Sequence, residues 1–479
     1  MKYFEGTPVP RGERPGGDDL LVTNARPWPA GGELVSVSIR GGQLDAIGPA
    51  GSDPLLEPDG RRVVDAGGLS LIPGLIDVHV HFRDPGLTRK EGWVRGSRGA
   101  VHGGVTAVVE VQNNVPLTTT VQAMKERLAY VEERSLVDFG LLANLLPASL
   151  PELGGIAEDA TGLKLFLGGS TGMGGQEDPE TIAGLFVGAA ASGRMAVTHC
   201  EHEATLDENE ARYPDPTIHE HHLIRSDVAE DRSIEEAIDA AKAAGAGLHV
   251  YHVTSALGVE RVRRAKAEGL DVVASTCFHY TLLTCNDAER LGNYLRVNPS
   301  VKTPEDQAAI LEGLRDGTLD ALSSDHAPHP REFKDRPYPK AASGMPSIDL
   351  YWPLCLELVR RGVMTPERVL ESVTTAAAAS MRLSDKGKLE PGYDGDLVLF
   401  DPDEEIDVVA AELPSTAKWS AYEGMRLAGF PKWVVRRGEV LLEDGELQEP
   451  EPDVPGGETG RAGGKPLRLE APRPVVHAS

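Results

Sequence analysis

The segment over residues 71–86 begins as an apolar run and ends in side chains that can do chemistry. Its central part, Leu75–Val80, predicts a short buried strand with a Pro-Gly pair on either side. His79 and His81 are two residues apart, so on a strand both imidazoles point to the same face. Two buried imidazoles need polar partners, and together they favour a metal site.

Four further side chains of this kind stand within or at the end of later apolar runs: Lys164, His199, His252 and Asp325. Taken alone, a histidine at a strand end often does no more than fill a hydrogen bond, while Asp325 can act as a ligand, a general base or both. Lys164 lies between two leucines, where an unpaired ammonium is costly to desolvate. A lysine neutralised in this way can act as a nucleophile, or it can combine with carbon dioxide to give a carbamate, an anionic bidentate ligand.

The charges of this set indicate two metal ions. Four imidazoles, one carbamate and one aspartate are more ligands than a single tetrahedral ion can take. Divided between two ions about 3.5–4 Å apart, they leave room for a bridging water whose pKa falls towards about 7. Zn²⁺ suits nitrogen and oxygen ligands and is the expected metal, with other divalent ions left open.

The elements that must position these residues alternate between short β-type runs and helical segments, which is typical of an α/β (β/α)₈ TIM-type barrel over residues 74–383. In such barrels the reactive groups stand at the C-terminal ends of the strands. The predicted strands are Leu75–Val80, Val105–Val111, Val137–Ala143, Leu163–Phe166, Met195–His199, Leu248–His252, Val272–Thr276 and Ala321–Asp325. The predicted helices include Thr119–Val131, Pro179–Ala191, Ser233–Ala244, Val259–Ala267 and Pro304–Leu314.

Both ends of the chain show β-type patterning with Gly-rich turns. Residues 19–73 are too few to close a core alone, so we expect them to pair with residues 384–445 in one small β-sandwich domain. The predicted strands are Leu20–Thr23, Leu34–Ile39, Leu44–Ile47, Val63–Asp65, a turn and strand in 394–401 and a hairpin in 433–442. Residues 1–18 predict a loose arm, and residues 446–479 an acidic, Pro/Gly-rich tail.

Composition excludes several classes of protein. The formal charge of −26 argues against nucleic-acid binding, which needs a basic footprint. It fits a well-solvated acidic surface or adaptation to high salt, between which the sequence does not decide. No apolar run is long enough to cross a bilayer, and four scattered cysteines predict free thiols in a reducing cytoplasm. The expected partner is a small-molecule substrate, and the sequence leaves open whether the chain forms a homo-oligomer.

The chain resembles the amidohydrolase superfamily and, within it, the dihydroorotases, over about residues 19–445. His-Phe-Arg-Asp-Pro-Gly at 81–86 and Asp-His-Ala-Pro-His at 325–329 resemble dihydroorotases most specifically. The general metal set is shared with hydantoinases and allantoinases. The matching segments are Asp77–Gly86, Gly103–Thr106, Lys164–Gly172, His199–Glu201, His252–Ser255, Asn298–Ser300, Asp325–His329 and Gly392–Val398.

The resemblance implies a role for each matching residue. His79, His81 and Asp325 would hold the more buried ion, and His199 and His252 the second. A carbamylated Lys164 and a hydroxide would bridge the two ions, and Asp325 would also shuttle protons. The residues implied in substrate binding are Arg83, Asn113 and His329 at the carboxylate and Asn298 at the pyrimidine ring. The implied reaction is the reversible hydrolysis of dihydroorotate to N-carbamoyl aspartate, the ring-closure step of de novo pyrimidine biosynthesis.

Two departures from the family pattern leave substrate details open. Val111-Gln-Asn-Asn114 stands where the family usually has Met-Pro-Asn-Thr, and Phe278-His-Tyr-Thr281 where it often has His-His-Leu. The alternative functions are a hydantoinase- or allantoinase-like cyclic-amide hydrolase and an inactive dihydroorotase-like subunit that supports aspartate transcarbamoylase. Such subunits lose metal ligands, whereas this chain keeps all six.

Overall fold

The computed structural model describes residues 18–52, 60–111, 113–170, 174–448 and 462–470. The strands are β1 Leu20–Pro27, β2 Val35–Arg40, β3 Gln43–Pro49, β4 Arg62–Asp65, β5 Ser70–Pro73, β6 Leu75–Val80, β7 Val105–Glu110, β8 Asp138–Asn144, β9 Gly162–Leu167, β10 Ala196–Cys200, β11 Leu248–Val250, β12 Val272–Cys277, β13 Ala321–Ser323, β14 Leu397–Phe400, β15 Glu405–Asp407, β16 Arg426–Ala428, β17 Pro431–Arg436, β18 Glu439–Glu443 and β19 Glu446–Leu447. The α-helices are α1 Trp93–His102, α2 Val121–Glu132, α3 Leu153–Asp159, α4 Pro179–Ser192, α5 Glu203–Glu210, α6 His221–Ile224, α7 Asp227–Ala244, α8 Ala256–Ala267, α9 Phe278–Leu282, α10 Ala288–Leu291, α11 Pro304–Asp316, α12 Arg331–Lys334, α13 Tyr351–Arg360, α14 Pro366–Ser372 and α15 Thr375–Ser380.

Strands β6 to β13 form an eight-stranded parallel sheet in which each strand lies beside the next one along the chain. The predicted barrel is confirmed, and the ends of all eight predicted strands agree with the structure to within two residues. Parallel barrel strands are buried on both faces, which is why these segments read as continuous apolar runs. Every residue of Leu75–Val80, for example, is buried.

Contacts between β6 and β13 close the barrel. The backbone N–H of His81 donates to the carbonyl of His326 at 2.8 Å. The backbone N–H of Ser324 donates to Oδ1 of the buried Asp77 at 3.1 Å. From outside, the hydroxyl of Tyr351 lies 3.0 and 2.9 Å from a carbonyl oxygen of each of the two strands. Closure brings the last strand end beside the first, and so places Asp325 next to the histidines of β6.

Two of the predicted strand ends need correction. His252 and Asp325 lie just beyond β11 and β13 rather than inside them, because their φ angles are +42° and +44°. Arg83 after β6 has the same left-handed conformation, with a φ of +58°. Non-glycine residues adopt this region at a cost and are frequent at functional sites. Each of these three left-handed residues lies two or three residues after the end of its strand, where the backbone changes direction.

The five predicted helices correspond to α2, α4, α7, α8 and α11. Helix α7 begins six residues earlier than its apolar pattern predicts, at Asp227 instead of Ser233. The side chain of Ser226 caps this earlier start by accepting a hydrogen bond from the backbone N–H of Ala229. Among the described residues, no helix has both the length and the apolar character needed to cross a membrane.

Strands from both chain ends join in one nine-stranded sheet, ordered β19-β18-β17-β14-β5-β1-β2-β3 with β4 beside β1. The junction between the two ends is the antiparallel pair β5 and β14, in which Leu71 pairs with Leu399. A shared apolar core includes Leu20 and Ile39 from the first part and Leu397 and Val435 from the last. Neither end could bury these side chains alone, and the composite domain follows from that.

Residues 446–479, predicted as a tail, are only partly described. Strand β19 extends the sheet by pairing with β18, so the sandwich does not end at residue 445. Residues 462–470 return to the barrel: Leu467 donates its backbone N–H to Phe139 at 2.8 Å, and Leu469 forms a bridge with Leu383. This segment returns to the barrel because Leu467 and Leu469 pack against an apolar cluster that includes Leu383. All but residue 18 of the predicted arm over residues 1–18 lies outside the described residues.

A buried ion cluster joins the barrel, the sandwich and this returning segment. Lys386 Nζ lies 2.5 Å from Asp138, 2.7 Å from Asp396 and 2.9 Å from Asp394. Burial alone would raise the pKa of Asp138, but Lys386 and then Arg437 hold it at about 2, below its usual 3.8. The stability that this carboxylate contributes is therefore present above pH 3.8 and is lost as the pH falls through 2.

Replacing Lys386 with methionine is expected to lower the free energy of unfolding at pH 7 by about 3–5 kcal/mol, because it leaves buried carboxylates without their cation. The deficit should shrink between pH 7 and pH 5, since the uncompensated carboxylates can then take up protons in the folded state. Lys388→Met is the matched control, because Lys388 is 39% exposed and lies 3.8 Å from Glu390. Guanidinium denaturation at both pH values measures the effect; equal midpoints for Lys386→Met and Lys388→Met would contradict it.

Candidate metal centre and substrate cavity

A small cavity opens at the C-terminal end of the barrel strands. Nine of the ten residues singled out from the sequence line it: His79, His81, Arg83, Asn113, Lys164, His199, His252, Asn298 and Asp325. The structure adds five lining residues that sequence reasoning missed: Phe166, Ser170, Ala327, Ser343 and Gly344. Residues 171–172, the end of one family-like segment, lie outside the described residues.

The first group of converging atoms belongs to β6 and to the turn after β13. Nε2 of His79 and Nε2 of His81 are 3.1 Å apart. Oδ1 of Asp325 lies 3.3 Å from the first and 3.2 Å from the second. His79 lies on β6 and His81 one residue beyond its end, and the i, i+2 spacing still turns both rings to the inner face. Three ligand-type atoms therefore meet at one point.

The second group comes from β10 and the turn after β11. Nδ1 of His199 lies 3.1 Å from Nε2 of His252. The other nitrogen of His199, Nε2, lies 3.0 Å from Glu201, which also pairs with Arg225. Burial alone would raise the pKa of Glu201, but Arg225 and His199 lower it to about 2. An ionised Glu201 fixes the proton of His199 on Nε2 and leaves Nδ1 with a free lone pair.

Lys164 stands on β9 and lines the same cavity as both groups. Its Nζ is buried, has no hydrogen-bond partner among the described residues, and lies 4.9 Å and 4.7 Å from the ring centroids of Phe166 and Tyr251. Burial lowers the pKa of Lys164 to about 7. When protonated, this ammonium lowers the pKa of all four site histidines, after the larger lowering that burial causes.

The donor set fits divalent metal ions. Burial lowers the pKa of each of the four histidines, so their rings are neutral and offer lone pairs. Close approaches between neutral imidazole nitrogens satisfy few hydrogen bonds, and Lys164 Nζ has no partner among the described residues. A cation at each group would satisfy the converging lone pairs. Nitrogen and oxygen donors in this arrangement suit Zn²⁺ and its neighbours.

Arg83 brings a positive charge to the wall of the same cavity. Its side chain is buried, and its guanidinium donates to the carbonyl of Pro328 at 2.6 Å. Burial lowers the pKa of Arg83 to about 10, so the side chain stays charged at neutral pH. Asn113 and Asn298 add amide groups to the lining. Gln112, the residue at the first departure from the family pattern, lies outside the described residues.

His329 is the one predicted residue that does not line the cavity. It is buried behind the wall, with Nε2 3.0 Å from the carbonyl of Ser343, and its own carbonyl accepts from Nε1 of Trp419 at 2.7 Å. The neighbouring loop is held by the buried Lys334, whose Nζ donates to three backbone carbonyls, including that of Gly344 at 3.1 Å. A lysine at the end of a short helix gives no sequence signal for this role.

Comparison with known proteins places these features in a wider group. The model of the amidohydrolase family matches residues 70–440. A dihydroorotase from Halobacterium salinarum is 34% identical over 86% of this chain and 94% of its own length. An allantoinase from Streptomyces avermitilis is 30% identical over 88% and 95%. The solved structure of the L-hydantoinase (dihydropyrimidinase) from Arthrobacter aurescens is 30% identical, with a TM-score of 0.84 over 90% of this chain and 97% of that one. A dihydroorotase, an allantoinase and an L-hydantoinase are thus similar to this chain to about the same degree.

Proposed function

The chain belongs to the amidohydrolase family, and from this premise we propose that it is a dihydroorotase, which interconverts dihydroorotate and N-carbamoyl aspartate in pyrimidine biosynthesis. At the coarser level it is a metal-dependent hydrolase of cyclic amides, as the family and its similarly close relatives indicate. The choice among cyclic amides rests on the substrate side of the cavity.

The observation that carries the choice is the buried guanidinium of Arg83 in the same cavity as the metal-ligand residues. Dihydroorotate carries a ring carboxylate, whereas allantoin and an unsubstituted hydantoin carry none. The carboxylates of Asp325, Glu91 and Glu110 partly compensate this charge, and a substrate carboxylate would add a two-pronged pair with the guanidinium. A neutral ring would leave this charge without a counterpart from the substrate.

We assign His79, His81 and Asp325 to one metal ion and His199 and His252 to the other. Lys164, as its carbamate, is assigned to both ions, because its amine is buried without a hydrogen-bond partner among the described residues and lines the cavity that both groups share. When bound, such ions polarise the ring carbonyl and make water a better nucleophile at neutral pH. Zn²⁺ is the proposed metal on the grounds of the donor types.

The remaining steps belong to side chains of this chain. Arg83 binds and orients the carboxylate, and the amides of Asn113 and Asn298 pair with ring N–H and C=O groups. In hydrolysis, water adds to the ring carbonyl carbon, the carbon–nitrogen bond breaks, and Asp325 carries the proton from the water to the departing nitrogen. In ring closure the same carboxylate moves the proton in the opposite direction.

Turnover assays with dihydroorotate, hydantoin and allantoin, together with metal analysis of the purified protein, test the proposal. We expect turnover of dihydroorotate well above that of the neutral rings, with two bound metal ions per chain. A preference for hydantoin or allantoin would replace the proposal with the corresponding hydrolase. Absence of both turnover and bound metal would instead favour the inactive subunit.

A further inference from the structure

A second group of ligand-type side chains lies behind the cavity wall. Cys277 ends β12, and His279 follows two residues later at the start of α9. Both are fully buried, and neither is among the residues that line the substrate cavity. Cys277 pairs with Ser323 in the register of β12 and β13. His279 and Asp325 each lie two residues beyond the end of this pairing, His279 in α9 and Asp325 in the turn after β13.

The atoms of this group are within reach of one ion. Ligand atoms of Cys277, His279 and Asp325 all lie within 4.8 Å of one another. Ligands of a tetrahedral zinc ion are about 3.5 Å apart, given bond lengths of about 2.0–2.3 Å. Small side-chain movements would close the difference. The Cys277–His279 pair also repeats the i, i+2 spacing of His79 and His81 on β6.

Packing alone does not account for the chemistry of this group. Neither ring nitrogen of His279 has a hydrogen-bond partner among the described residues, although the ring is fully buried. An unsatisfied buried polar atom costs about 1–3 kcal/mol. The Cys277 sulfur shares a hydrogen bond with Oγ of Ser323 at 3.5 Å. A core position could be filled by apolar residues without these costs.

We propose that Cys277, His279 and Asp325 form an additional, inhibitory site for a thiophilic divalent ion such as Zn²⁺ in excess or Cd²⁺. On binding, the S–H bond of Cys277 breaks and a metal–sulfur bond forms, the proton leaves on water that the incoming hydrated ion sheds, and the neutral ring of His279 donates a lone pair. Because Asp325 is shared with the first metal group, an ion here draws away the carboxylate that moves the proton. The inhibitory part therefore rests on the function proposed for Asp325.

Cadmium titration of the zinc-loaded enzyme tests the site directly. Cd²⁺ bound to a thiolate absorbs in the ultraviolet, and the ligands assigned to the two catalytic ions include no sulfur. We expect an absorption band that saturates at one equivalent and a loss of turnover over the same range. Cys277→Ser and His279→Gln should both lose the band and the extra equivalent of metal, and should need at least about tenfold more Cd²⁺ for the same inhibition.

Cys285→Ser is the matched control, since Cys285 is a partly exposed free thiol on the surface. It should keep the band and the sensitivity of the wild type. A band that persists in Cys277→Ser, that vanishes in Cys285→Ser, or that never appears overturns the site. The band does not depend on turnover, so a protein that binds Cd²⁺ through Cys277 yet ignores dihydroorotate would retain the site and refute the proposed function.

Discussion

Replacing Lys164 with alanine is expected to abolish turnover and the paired metal ions together. The side chain lines the same cavity as the two histidine groups, and its amine is buried without a hydrogen-bond partner among the described residues. Without an anion between them, two divalent cations a few ångströms apart would repel each other and would rest on imidazoles and one carboxylate. We expect the rate to fall at least about 10³-fold, because metal activation of water supplies much of the catalysis in such sites.

One further variant and a small carboxylate as additive separate this chemistry from simple cavity formation. Lys164→Met fills most of the space of the lysine and should lose activity and metal to the same extent as alanine. Acetate or propionate should restore part of the rate in Lys164→Ala, where room for a carboxylate exists, and none in Lys164→Met. Metal content and turnover, measured on the same samples, distinguish loss of the bridging ligand from formation of a cavity. A Lys164→Ala enzyme with two metal ions and full rate would show that Lys164 does not bridge them.

The parts of this site that could be predicted from sequence depend on local pattern. The alternation of a strand places His79 and His81 on one face, and a lysine between leucines is unusual enough to draw attention. Strand limits follow from apolar runs, since parallel barrel strands are buried on both faces. The composite sandwich follows from the number of residues at each chain end, because neither end alone is long enough to cover its apolar side chains.

The parts that could not be predicted depend on tertiary contacts. The left-handed conformations of His252 and Asp325 arise where strands meet loops, and an apolar run carries no sign of them. The pairing of Glu201 with Arg225 joins residues 24 positions apart. Lys334 holds the loop that lines the cavity by donating hydrogen bonds to backbone carbonyls. Every residue has such a carbonyl, so the loop sequence does not reveal the contact. Residues 462–470 fold back on the barrel although their composition resembles that of a tail.

Replacing Arg83 with methionine is expected to lower kcat/KM for dihydroorotate by about 10²- to 10³-fold, because each charge-assisted hydrogen bond of the fork contributes about 1.5–3 kcal/mol. Most of the loss should appear as a higher KM, since the carboxylate is not the group that reacts. The kcat/KM of Arg83→Lys should lie between those of the wild type and Arg83→Met, because lysine keeps the charge but lacks the planar fork. Dihydrouracil has the same ring without the carboxylate, so its turnover should change far less.

Arg89 provides the matched control for this experiment. It lies six residues further along the same loop region, its side chain is exposed, and its guanidinium stacks on Phe333 with 5.2 Å between its central carbon and the ring centroid. Arg89→Met should leave both KM values unchanged. Metal content should be equal in all these variants, because Arg83 is assigned to the substrate and not to the ions. If Arg83→Met slows dihydroorotate and dihydrouracil equally, the guanidinium supports the site as a whole. The carboxylate would then have another partner, and the preference for an acidic ring would need a different residue.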